Sequence, residues 1–105
     1  MDAFDVFITY VSWGDGGKMR PVLILWHQES IVYVFGITTQ YENKSEAIRA
    51  GYFMLHDWKQ AGLDKQSFVD TNTVREIPSI AFDGKSEIGR LTLLDEMRLV
   101  EFISQ

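Results

Sequence analysis

Two nearly continuous apolar runs, separated by a short polar turn, constrain the fold of this chain more than any other feature. Residues 20–27 read RPVLILWH and residues 31–39 read IVYVFGITT. Both runs are too short for good helices and rich in β-branched and aromatic residues, so each is expected to be a buried β-strand. The polar residues 28–30 between them favour an antiparallel hairpin. Pro21 fits only near the start of such a strand, where it forces Arg20 into an extended conformation.

Shorter segments on either side also have β character. Residues 3–11 and 67–76 read as strands, with Pro78 closing the second, and residues 86–91 form a short extended piece. Residues 51–57 (GYFMLHD) fit a strand better than a helix, because aromatic residues dominate and the Ala-Gly pair at 61–62 soon breaks the pattern. The glycine-rich residues 12–19 (SWGDGGKM) predict a mobile loop, and the polar residues 40–49 predict a loop that holds a helical turn.

The last segment has the signature of an amphipathic helix. Thr92 is a suitable N-cap, and Asp95 and Glu96 in the first turn are favoured by the helix dipole. A broad apolar stripe follows at helical spacing, formed by Leu93, Leu94, Met97, Val100 and Ile103. The pattern predicts a mainly β fold, a small barrel with one C-terminal α-helix. No linker or repeat divides the chain, so residues 1–105 are expected to form one domain.

Composition and charge restrict the function. The chain has no cysteine, which excludes disulfides and thiolate metal sites and fits a reducing cytoplasm. The acidic N-terminus lacks the basic residues of an export signal, and no apolar run is long enough to span a membrane. The net charge is −5, with both signs spread along the chain. Nucleic-acid binders usually carry a basic face, so binding to RNA would require a local basic patch created by the fold.

Several motifs, taken in order, resemble the MazF/PemK family of toxins. A glycine-rich segment runs into KMRPVLI at residues 18–24, and ITTQ follows at residues 37–40. The second half contributes DWKQAGL at 57–63, SFVD at 67–70, VREI at 74–77 and IGRL at 88–91. Each motif is weak alone, but their order and spacing make the resemblance fairly specific, and it covers most of the chain.

The resemblance implies a fold, an activity and partners. The fold is an SH3-like barrel of the MazF/CcdB type, usually a homodimer. The activity is metal-independent, sequence-selective endoribonuclease cleavage of single-stranded mRNA in the cytoplasm, with no cofactor. The partner is an antitoxin protein whose disordered tail blocks the RNA groove. Two alternatives remain open: a catalytically weak binding module with the same barrel, and a gyrase-directed toxin.

The same resemblance assigns roles to two residues. Arg20 is expected to stabilise the phosphorane and to act as an acid, and Thr38 to orient the phosphate. Arginine suits this task because its planar fork grips two phosphate oxygens at once. Thr39 takes the place of Thr38 if the register slips by one residue. The predicted substrate-binding residues are then Trp13, Lys18, Thr39 and Arg75, with Trp13 stacking on a base.

Other residues are weaker candidates for a functional role. His27 and His56 could act as acid or base, but neither matches a family position, and two isolated histidines do not build a metal site. Some PemK-like proteins have an arginine and an aspartate on the strand that here carries Asp70 and Asn72. The sequence alone does not identify the general base. Trp58 is expected to serve packing.

Overall fold

The computed structural model describes residues 1–105, which form six strands, two α-helices and one 3-10 turn. The strands are β1 (Asp5–Trp13), β2 (Gly16–Gln28), β3 (Ile31–Thr38), β4 (Tyr52–Met54), β5 (Phe68–Pro78) and β6 (Gly89–Arg90). The helices are α1 (Glu46–Arg49) and α2 (Leu93–Ile103), and the 3-10 turn is Ser79–Phe82. All strand pairs are antiparallel, in the order β4-β5-β3-β2-β1-β6. The sheet curls into a half-barrel, which confirms the predicted mainly β barrel with a C-terminal helix.

The two apolar runs form the centre of the sheet, as predicted. β2 and β3 pair through a two-residue turn, in which Glu29 adopts a left-handed φ of 56°. Val22, Leu23 and Ile24 are buried because the sheet is covered on both faces. One face, here called the Phe82 face, carries Val22, Ile24 and Val34 and is closed by Phe82; the opposite α2 face carries Leu23 and is covered by Leu99 of α2.

The glycine-rich segment is a hairpin and not the predicted mobile loop. β1 and β2 stay paired as far as Trp13 and Gly16, so only Gly14 and Asp15 form the turn. Gly14 has a φ of +45°, a conformation that glycine adopts without steric cost. Gly17 lies under the Tyr10 ring, where an added Cβ would be 2.6 Å from the tyrosine oxygen. The glycines therefore admit aromatic rings over the hairpin and do not interrupt it.

The apolar stripe of α2 faces outward. The helix begins after Thr92, as predicted, but the residues of the stripe are 50% to 70% exposed. Asp95 explains the orientation, because its buried carboxylate accepts hydrogen bonds from the backbone N–H groups of His56 (3.3 Å) and Asp57 (2.8 Å). These bonds turn Asp95 and Leu99 inward, and the stripe is left on the other side. Neither helix is long and apolar enough to cross a membrane.

Candidate functional site

A hollow opens on the Phe82 face where four neighbouring strands meet. Asp70 of β5 pairs with Gly36 of β3, which pairs with Val22 of β2, and Tyr52 of β4 lies on the other side of Asp70. Residues paired across strands share one face of the sheet. Gly36 contributes no side chain, and a Cβ built there meets no atom within 4 Å. A gap in the row of side chains therefore forms the floor of a cavity.

Arg20 and Thr38 stand beside this gap. Arg20 precedes Val22 by two residues on β2, and Thr38 follows Gly36 by two on β3, so both side chains project from the same face. The resulting cavity, here called the Arg20 cavity, has a volume of about 230 Å³. Its polar and aromatic lining consists of Trp13, Arg20, Thr38, Gln40, Lys44, Tyr52, Asp70 and Arg75. The structure thus brings together four of the six residues that the sequence analysis singled out.

Arg20 is a half-buried cation without a counter-ion. The chain's three salt bridges involve Arg90 and Arg98 only. The Arg20 Nε is buried and has no hydrogen-bond acceptor, the only such side-chain atom in the protein. Its guanidinium lies 5.2 Å from the ring centroid of Trp13, which is 43% exposed. A buried donor without an acceptor costs about 1–3 kcal/mol, so this arginine is placed to gain from a bound anion.

Thr38 and Thr39 have different surroundings. Thr38 lines the Arg20 cavity, and its Oγ1 accepts a hydrogen bond of 3.0 Å from the Gln40 backbone N–H. Thr39 is exposed and lies with Lys18 in an adjoining hollow that Arg20 and Thr38 also line. The cavity itself therefore receives Thr38, while Thr39 and Lys18 lie at its margin.

Arg75 reaches the cavity because β5 bulges. Gly36 and Val34 are two residues apart on β3, but their partners Asp70 and Arg75 are five apart on β5. The intervening residues 71–74 have no partner on β3, and this irregularity brings both charged side chains into the lining of the same cavity. Arg75 and Lys44 form no salt bridge with any carboxylate.

Asp70 is held from one side. Its Oδ1 accepts hydrogen bonds from the backbone N–H and the side-chain Nδ2 of Asn72, both at 2.9 Å. Asn72 is itself fixed, because its Nδ2 also donates to the Ile48 carbonyl at 2.9 Å. The second carboxylate oxygen of Asp70 has no partner in the protein. Asp70 is thus an oriented carboxylate with one oxygen free to act as an acceptor or base.

Tyr52 places a free hydroxyl in the same cavity. Its side chain is only 9% exposed, with the ring packed near Tyr41 and Phe68. The hydroxyl makes no hydrogen bond within the protein, and it is not one of the buried polar atoms that lack a partner. Burial, followed by the nearby Asp70 carboxylate, raises the pKa of Tyr52, and the positive charge of Arg20 opposes the shift. The hydroxyl keeps its proton at neutral pH and can donate it.

The sequence analysis assigned no role to four of the lining residues. Tyr52 and Lys44 come from segments that carry no motif, Gln40 ends the ITTQ motif just beyond β3, and Asp70 was noted only for its position on a strand. Only the register of β4 on β5 would have indicated Tyr52. The two histidines, His27 and His56, are exposed and line neither this cavity nor the adjoining one. Trp58 packs against the core on the α2 face, as predicted.

Comparison with known proteins agrees with the fold. No protein-family model and no curated protein matches the sequence. A solved structure, Mycobacterium tuberculosis toxin MazF-mt6, is similar over 95% of this chain and 92% of that chain, with 26% sequence identity and a TM-score of 0.69. The resemblance found in the motifs therefore extends to the arrangement of the whole chain, which has the fold of a MazF-like toxin.

Proposed function

We propose that this protein is the toxin of a type II toxin–antitoxin system, and that it cleaves single-stranded mRNA at selected sequences without a metal ion. The observation that carries the proposal is Arg20, an unpaired and half-buried cation in a cavity with room for a ligand. The likeness to a MazF toxin supports the same reading.

The local charge around Arg20 is opposite to that of the whole chain. Three cations, Arg20, Lys44 and Arg75, line the cavity with a single carboxylate, Asp70, and Lys18 adds a fourth cation at the margin. The net charge of −5 comes from residues elsewhere. Screening limits the reach of exposed charges to about 8 Å at physiological salt, so a phosphate in the cavity responds mainly to these cations.

The lining residues can perform the cleavage together. The 2′-hydroxyl of the substrate attacks the adjacent phosphorus, and the free oxygen of Asp70 accepts its proton. The guanidinium of Arg20 binds the phosphoryl oxygens and stabilises the added negative charge of the phosphorane, while Thr38 orients the phosphate. The products are a 2′,3′-cyclic phosphate and a free 5′-hydroxyl. Fixed cations supply the charge stabilisation that a metal ion provides in other nucleases.

Recognition of the RNA strand rests on the margins of the cavity. Trp13 offers an exposed aromatic ring, and stacking of a base on such a ring contributes about 1–3 kcal/mol. The Gln40 amide has donors and an acceptor for the edge of a base. Both interactions need unstacked bases, which favours a single strand over a duplex.

We further propose a homodimer and an acidic antitoxin tail as partners. The outward stripe of α2 is a contiguous apolar surface of the kind that marks an interface. A second copy would cover it by an isologous helix-to-helix contact. Sedimentation should show a dimer at micromolar concentration that Met97→Glu converts to monomer, whereas Glu101→Gln on the same helix leaves it intact.

An acidic peptide that binds the cationic cavity should compete with RNA, and its binding should be lost in Arg20→Ala.

The decisive test is cleavage of a long single-stranded RNA in EDTA. We expect cleavage by the wild type and loss of at least about 100-fold in Arg20→Ala, comparable to removing one donor of an oxyanion hole. Arg49→Ala is a matched control, because Arg49 also stacks on an aromatic ring (5.3 Å from the centroid of Tyr41) but does not line the cavity. A folded wild type that cleaves no RNA would contradict the nuclease and leave a binding module. Equal loss in both variants would contradict the role of Arg20.

A further inference from the structure

We propose that Tyr52 is the general acid that protonates the 5′-oxygen leaving group, a role that rests on the cleavage activity proposed above. The sequence analysis assigned acid chemistry to Arg20. The residues that line the cavity favour a division between charge stabilisation and proton donation, with Arg20 as the fixed charge and Tyr52 as the proton donor.

The position of Tyr52 suits a proton donor. It is the first residue of β4 and pairs with Asp70, so the two side chains project from the same face of the sheet. Its ring is held by aromatic neighbours, Tyr41 at 6.2 Å and Phe68 at 6.3 Å between centroids. Its hydroxyl is free of protein partners and lines the cavity that also receives Arg20. Because the ring is buried, the position of the hydroxyl is fixed. Because the hydroxyl has no partner in the protein, it is available as a single donor to a ligand.

The chemistry of the two donors separates their roles. A guanidinium is not deprotonated in proteins, and losing its proton would remove the charge that stabilises the phosphorane. A phenol has a pKa of about 10, which makes it the stronger acid of the two. Burial and Asp70 raise the pKa of Tyr52, so its hydroxyl carries the proton throughout the neutral range. Tyr52 is thus fully in the donor form when the leaving oxygen develops charge.

The step balances in atoms and protons. The 2′-oxygen forms a bond to phosphorus as its proton passes to the free oxygen of Asp70. The bond from phosphorus to the 5′-oxygen breaks with its electron pair, and that oxygen takes the proton of Tyr52. Asp70 is then a neutral acid beside a tyrosinate on the adjacent strand. Transfer of one proton from Asp70 to Tyr52, directly or through a water molecule, restores both groups without an outside acid.

A substrate with a sulfur leaving group tests this role. In an RNA whose scissile 5′-oxygen is replaced by sulfur, the departing thiolate needs no acid, because thiols have a pKa near 8.5. We expect Tyr52→Phe to slow cleavage of the ordinary RNA by about 10²–10⁴-fold and cleavage of the sulfur-substituted RNA by less than about threefold. Arg20→Ala should slow both substrates, because the phosphorane forms in each case.

Two controls separate a chemical role from a structural one. Tyr41→Phe removes a hydroxyl from the same aromatic cluster but outside the cavity lining, and should leave both rates unchanged. Binding of an RNA with a 2′-deoxy residue at the cleavage site should be equally tight for the wild type and Tyr52→Phe. An equal slowing of both substrates by Tyr52→Phe, or no slowing of the ordinary RNA, would overturn the role of Tyr52 while the nuclease stands. Failure of the wild type to cleave either substrate would instead overturn the proposed function itself.

Discussion

Filling the floor of the Arg20 cavity should abolish cleavage without weakening the fold. Gly36 lies in the middle of β3, and a Cβ added there enters open space with no atom within 4 Å. In Gly36→Val this Cβ and two methyl groups would occupy the place beside Asp70, Arg20 and Thr38 where a phosphate is expected to bind. No neighbouring atom has to move to accept the Cβ.

Gly36→Val should change stability and activity in opposite directions and by different amounts. Glycine inside a strand costs roughly 0.5–1 kcal/mol relative to alanine, and valine has a high β propensity. The free energy of unfolding should therefore stay equal or rise by about 1 kcal/mol, which corresponds to a Tm increase of roughly 4–8 °C for a domain of this size. Loss of the phosphate contact with Arg20 should reduce kcat/KM by at least about 100-fold, or about 2.7 kcal/mol. Gly36→Ala, which adds the Cβ alone, should fall between the wild type and Gly36→Val.

The assay combines thermal melts with initial rates on one RNA in EDTA. A variant that melts at or above the wild-type temperature and has lost cleavage would support a catalytic site over Gly36. A stable Gly36→Val with wild-type kcat/KM would refute the reasoning, because a phosphate could not then be bound in this cavity.

Three further predictions follow from other contacts. Asp95→Asn should lower the free energy of unfolding by about 2–4 kcal/mol, measured by urea denaturation, because an amide has one oxygen for the two backbone N–H groups of His56 and Asp57 and carries no charge. Arg20→Lys should retain RNA binding at low salt but lose most of kcat, since an ammonium keeps the charge without the planar fork; a wild-type kcat would contradict this. The raised pKa of Tyr52 means that the folded state keeps a proton that the unfolded chain releases near pH 10, so stability is lost as the pH rises above that value. The Tm of Tyr52→Phe should therefore fall less than that of the wild type between pH 9 and pH 11, and identical falls would argue against the shift.

The acidic composition and the cationic cavity are compatible once position is considered. Four of the ten basic residues line the Arg20 cavity and the adjoining hollow. They come from β2, the loop after β3, and β5, so no basic run is visible along the chain. Net charge describes the long-range field, whereas binding of a phosphate in a cavity depends on charges within a few ångströms.

The sequence by itself determined the strands at the centre of the sheet, the N-cap of α2 and the class of fold. These features are local: β-branched runs with a polar turn specify a hairpin, and Thr92 accepts the hydrogen bond from the Asp95 N–H whatever lies nearby. The motif around Arg20 and Thr38 was also readable, because both residues belong to the central hairpin. Their register within it was not, because a bulge between Ile24 and Trp26 shifts the pairing of β2 with β3 away from the one that the two-residue turn sets.

The tertiary structure alone decided which other residues share the cavity and which face of α2 is buried. Tyr52, Asp70 and Arg75 meet there through the pairing of β4 with β5 and the bulge in β5, and no periodicity along the chain encodes either feature. The stripe of α2 predicts which residues share a side of the helix but not whether that side faces the core. Two hydrogen bonds to the buried Asp95 set that orientation, because they satisfy its carboxylate in the interior and leave the five apolar side chains on the opposite side of the helix.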